Sequence, residues 1–110
     1  MIENTLKEIE TRLAQTGAMT PESRTQLLQL LATLKSEITA LSESDADRAR
    51  SIAGFTQVST HEATRGEKNP ELLKLSIKGL ASSVEGFDQS HPQLVQIVNS
   101  ICNTLSNLGI

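Results

Sequence analysis

The run His61-Glu62-Ala63-Thr64-Arg65 begins like a catalytic signature. In metalloproteases His-Glu-x-x-His sets two imidazoles one helical turn apart on a zinc ion, and the glutamate serves as base. Here Arg65 stands where the second imidazole belongs, and a guanidinium repels a metal cation. His91, the other histidine of the chain, cannot complete a three-ligand set with His61 alone. The run therefore reads as a polar helix end, with Arg65 near the negative, carbonyl pole of the helix dipole. Neither histidine has a glutamate three residues before it, so the Glu-x-x-His pairs of di-iron bundles are missing.

Cys102, the single cysteine, sits on the flank of the most apolar stretch and reads as a buried thiol rather than a nucleophile, which would need an exposed, electropositive setting. Gly79 and Gly86 read as helical and Gly109 as the close of the last helix, which leaves no glycine-rich phosphate loop. The sequence thus assigns no catalytic residue, no metal ligand and no cofactor, and the expectation is a non-enzymatic protein.

Charge and composition point the same way. The chain has 110 residues and a net charge of -3, with no basic segment to neutralise a phosphate backbone. Phe55 and Phe87 are the only aromatic residues, too few for the stacking platforms of single-stranded nucleic acid binding. No nucleic acid partner is expected. Met1 is followed by an acidic helical pattern rather than a basic stretch and an apolar block, and the apolar segment from Leu94 to Leu108 is short and rich in Gln and Asn. No membrane partner is expected either, and the lone cysteine suits a soluble, cytoplasmic protein.

What the sequence does specify is helices. Ile2, Leu6, Ile9 and Leu13 trace a first one that stops near Gly17, a residue suited to a left-handed C-terminal position. Thr20-Pro21-Glu22 gives a cap, a proline at the first helical position and an acid at the positive end of the dipole. Leu27, Leu31, Leu34, Ile38 and Leu41 then repeat at four, three, four and three, which predicts a second helix antiparallel to the first. A weaker middle helix over 45–63 follows, with Gly54, Thr56, Val58 and Thr60 lowering its propensity. Asn69-Pro70-Glu71 repeats the start signal for a fourth helix carrying Leu73, Ile77, Leu80, Val84 and Phe87. His91-Pro92 starts the fifth, where Leu94, Val98, Ile101, Leu105 and Leu108 keep the same rhythm without a single charge after Gln89. Its end is expected to be a Schellman cap, with Gly109 left-handed and Ile110 folded back on Leu105.

Two surfaces are candidates for an interface. The fourth helix carries a second stripe, Leu72, Ser76, Gly79, Ser83 and Gly86, whose glycines lower helix propensity unless another backbone comes close. The last helix presents uncharged Gln96, Asn99 and Asn103. The expected structural caps are Thr20, Asn69, His91, Gly109 and Ile110.

Gly86-Phe87-x-x-Ser90-His91-Pro92-x-Leu94, followed by Ile101-x-x-x-Leu105-x-x-x-Gly109-Ile110, resembles the signature of a family of small bacterial proteins, domain of unknown function 4404. The resemblance implies a bacterial origin and a small helical protein, and brings no catalytic or cofactor residue.

The resulting expectation is an all-α helical bundle of about five helices in one domain spanning 1–110. Two antiparallel hairpins, 2–41 and 70–110, flank the middle helix 45–63 and meet through heptad-type packing. The expected role is protein–protein interaction or scaffolding, most economically as a homodimer, with an unidentified protein partner as a further option. The alternative is a small regulator or sensor holding an apolar ligand in a cavity lined by Phe87, Val98 and Cys102.

Overall fold

Three helices begin where a side-chain oxygen takes up an unpaired backbone N–H of the first turn. In the computed structural model of the chain, whose described residues are 2–17 and 19–108, Thr20 Oγ1 accepts from the Ser23 N–H at 3.2 Å, Asp45 Oδ1 from Arg48 at 3.1 Å and Asn69 Oδ1 from Leu72 at 3.2 Å. Among the described residues the elements are α1 (Ile2–Gln15), α2 (Pro21–Ser42), α3 (Ala46–Thr64), α4 (Pro70–Ser83) and α5 (Pro92–Leu108). Pro21, Pro70 and Pro92 each open a helix, where a missing N–H leaves no partner unsatisfied.

The helices form an all-α bundle. Leu6, Ile9 and Leu13 of α1, the five-residue stripe of α2, and Leu94, Val98, Ile101 and Leu105 of α5 are buried in one core with Leu73, Leu80 and Val84. The heptad spacing of these aliphatic residues is what lets ridges from neighbouring helices interlock along a continuous seam.

The middle helix differs most from expectation. It is one continuous helix through Gly54, and it is the hub of the bundle, touching all four other helices. Its inward face explains this: Ala49, Ala53, Thr56, Ser59, Thr60 and Ala63 are buried and small, so the neighbouring backbones approach closely. The Thr56 hydroxyl returns to the Ile52 carbonyl at 2.7 Å and that of Thr64 to the Thr60 carbonyl at 2.7 Å, which satisfies their polarity within the helix.

Helix ends supply the other corrections. Among the described residues the only positive φ is that of Gly86, at 90°, so Gly17 does not take the left-handed position expected of it. Instead α1 is closed from outside: Arg24 of α2 donates Nε to the Leu13 carbonyl at 2.9 Å and Nη2 to that of Thr16. Gly86 is not helical, because α4 stops at Ser83 and the chain turns before Phe87. Arg48 holds that turn, donating to the Glu85 carbonyl at 2.6 Å while its guanidinium carbon lies 4.4 Å from the centre of the Phe87 ring. His91 occupies the cap position of α5 through its backbone, whose carbonyl accepts from Val95. Its ring packs edge-on against Phe87 at 5.3 Å. Gly109 and Ile110, and the expected Schellman cap with them, lie outside the described residues.

Candidate interaction surface

α3 and α4 are joined by the short linker 65–69, which returns the chain antiparallel to itself. Phe55 on α3 and Gly79 on α4 are equally far from the middle of that linker and meet, with the ring lying where a Gly79 side chain would be. The same register brings Val58 level with Leu75 and Ser76, and Glu62 level with Leu72.

This face carries the large exposed apolar side chains found among the described residues. Phe55 is 40% exposed, Val58 49%, Leu72 44% and Leu75 65%. Isolated exposed leucines are ordinary, but four large apolar groups from two adjacent helices make a patch of the kind that marks interaction sites. α3 is largely inverted relative to a usual amphipathic helix: apart from Ile52, its core-facing residues are mostly small or hydroxylated, and its bulky Phe55 and Val58 face out.

The stripe expected to form an interface divides accordingly. Leu72 is exposed and contributes to the patch. Ser76 is buried, its hydroxyl donating to the Leu73 carbonyl at 2.9 Å, and Gly79 is covered by Phe55. The space that Gly79 leaves, expected to admit a neighbouring backbone, is therefore filled by a side chain from α3 of the same chain. Ser83 is half-buried and donates to the Leu80 carbonyl, and Gly86 lies in the turn beyond the helix. Sequence reasoning missed Phe55, Val58 and Leu75. Leu72-Leu73-Lys74-Leu75 held the clue, since three leucines within four residues cannot all share one helix face.

On α5 Gln96, Asn99 and Asn103 are exposed. Asn103 lines, with Ser23, Gln26, Leu30 and Asn107, a groove of about 420 Å³ between α2 and α5. Its walls carry no charged group. A smaller cleft of about 240 Å³ between α1 and α3 is polar, lined by Glu8, Ile9, Arg12, Gln57, Thr60 and His61. Gln57 Nε2 donates to Glu8 Oε2 at 2.9 Å and Arg12 Nε to the Thr64 hydroxyl at 2.8 Å. These bonds tie α1 to α3.

The His61–Arg65 run ends α3 as a set of paired polar groups. Glu62 is buried and its carboxylate receives Arg65 Nη1 at 3.0 Å. His61 is exposed, and among the described residues no three His, Cys, Asp or Glu side chains come together as a metal site. Cys102 is buried, and that burial pushes its thiol up from 9.0 to about 11, against a smaller lowering by a hydrogen bond from its own backbone N–H. The Cys102 sulfur donates to the Ile77 carbonyl at 3.8 Å. Val98 and Cys102 belong to the shared core, while Phe87 is held by Arg48 and His91.

A family model described as Domain of unknown function (DUF4404) matches residues 2–110. The chain belongs to that family. The match spans all five helices of this DUF4404 domain, from α1 to the end of α5, and so takes in the α3–α4 face as well as the closing motif. No curated protein and no solved structure matches the chain. No helix of the DUF4404 chain is long and apolar enough to cross a membrane, among the described residues.

Proposed function

We propose that this DUF4404 protein acts through protein–protein interaction, as a non-enzymatic scaffolding module of the bacterial cytoplasm that associates with itself. The reading rests on the exposure of Phe55, Val58, Leu72 and Leu75 on the α3–α4 face. Burying a leucine or phenylalanine that is half exposed gains on the order of 1 kcal/mol, so four such groups supply the centre of a modest interface. Chemistry finds less support: in the α1–α3 cleft Gln57 and Glu8 bond to each other and Arg12 bonds to Thr64, and the thiol of Cys102 faces the core.

Light scattering on a size-exclusion column tests this, with Leu75→Lys as the control. The parent chain is expected to show a mass that rises from monomer toward dimer as concentration increases through the micromolar range, and Leu75→Lys to remain monomeric. A monomer mass for the parent at every accessible concentration overturns self-association.

A further inference from the structure

The outer side of α4 carries a charge pattern that suits a second copy of itself. At about 100° per residue, Leu72, Leu75 and Gly79 fall on one strip of the helix, away from the core-facing line of Leu73, Ile77 and Leu80. Glu71 and Lys78, two helical turns apart and both exposed, lie together along one flank of that strip. They are placed on opposite sides of Leu75, one toward each end of the helix.

We infer that the partner on this face is a second copy of the chain, with its α4 antiparallel to the first about a two-fold axis beside Leu75. The inference rests on the α3–α4 face being the contact surface. In an antiparallel pair of helices, residues on a given flank meet the same flank of the partner. The axis beside Leu75 therefore sets Glu71 of each copy against Lys78 of the other, forming two symmetric ion pairs from one acid and one base. A parallel arrangement would instead place the Glu71–Lys78 flanks of the two copies on opposite sides of the contact, where neither ion pair forms.

The apolar strip is self-complementary in the same register. The two Leu75 side chains meet at the axis, and Leu72 of each copy falls within a turn of the other's Phe55 and Gly79. Lys74 lies roughly 120° round from the centre of the strip, outside the contact. α4 has 14 residues and so spans about 21 Å, which makes a small interface whose association is weak and concentration-dependent.

Charge reversal tests the register. Glu71→Lys and Lys78→Glu each turn both ion pairs into like-charge contacts, and each is expected to weaken self-association about tenfold at low salt. Mixed together, the two variants are expected to bind each other. One chain then carries a base at both positions and the other an acid at both, so each end of the contact again pairs a base with an acid. The double reversal in one chain is expected to restore the parent's association. Analytical ultracentrifugation of parent, single variants, mixture and double variant reads these outcomes, and circular dichroism checks that each keeps the parent's helicity.

Single variants that associate as the parent does, while Leu75→Lys dissociates, overturn the antiparallel register and leave the face standing. A mixture of the two variants that stays monomeric overturns it equally. Association unaffected by Leu75→Lys overturns both the register and the face.

Discussion

The ring of Phe55 occupies the space of a side chain at Gly79: a β-carbon built there would stand 2.7 Å from Phe55 Cδ1 and 3.1 Å from its Cζ. Gly79 is thus a receptor for a neighbouring aromatic ring. Helix propensity alone favours alanine there by about 1 kcal/mol, and displacement of the ring opposes it. Gly79→Ala is therefore expected to leave the melting temperature nearly unchanged or lower it, but to raise it by several degrees in a Phe55→Ala background. Equal effects in the two backgrounds would show that the ring and the glycine are not coupled.

Arg24 makes a second long-reaching contact, closing the carbonyl end of α1 from the neighbouring helix. A charged donor on two carbonyls at the end of α1 contributes more than a neutral hydrogen bond and also complements the dipole. Arg24→Met keeps the aliphatic stem and removes the donors. It is expected to destabilise by about 1 to 2 kcal/mol, read in urea unfolding. Hydrogen exchange localises the effect, with faster exchange at the end of α1 and little change in α5.

The helices were legible in the sequence because their cores follow the heptad rhythm and their starts carry cap, proline and acid in order. Thr20, Pro21 and Glu22 announce α2, and Asn69, Pro70 and Glu71 announce α4, because those interactions lie within four residues of one another. Helix ends were less legible, since they are closed by cations that are local only in space. Arg24 closes α1, Arg48 holds the turn after α4, and Lys68 reaches the Leu108 carbonyl at the end of α5. The role of α3 was hidden for a related reason. Apart from Ile52 its inward face is mainly Ala, Ser and Thr, which by hydropathy resembles a weak surface, and only the packing of four neighbours shows it as the centre. The exposed patch followed from that inversion.

Burial of Cys102 makes stability depend on alkaline pH. The folded state holds the thiol protonated to about pH 11, whereas the unfolded chain releases its proton near 9.0. Below 9.0 both states carry the proton and the preference for the folded state is fully expressed. Between 9.0 and about 11 the unfolded state binds fewer protons, so stability falls as pH rises. Cys102→Ala is expected to lose less stability than the parent between about pH 8 and 10.5, measured by chemical unfolding. The thiol is also expected to react with an aromatic disulfide reagent at about pH 8 far more slowly than in denaturant. Parallel stability curves for parent and variant would remove the titration of this thiol as the cause.

Two glycines with open space around them should respond to alanine in opposite directions. No atom lies within 4 Å of a β-carbon built at Gly54 or at Gly86. Neither site has a steric obstacle, so backbone conformation alone decides the outcome. Gly54 is inside α3, where alanine has the higher propensity and a more restricted unfolded chain, and Gly54→Ala is expected to stabilise by about 0.5 to 1 kcal/mol. Gly86 has φ of 90°, a region in which a β-carbon meets its own backbone, and Gly86→Ala is expected to destabilise by about 1 to 2 kcal/mol. Asparagine tolerates left-handed geometry better than alanine, so Gly86→Asn should recover part of that loss. Thermal unfolding of the three variants reads all of this in one series. Should Gly86→Ala melt with the parent, the turn between α4 and α5 does not require its left-handed residue, and Arg48 on the Glu85 carbonyl is what holds it.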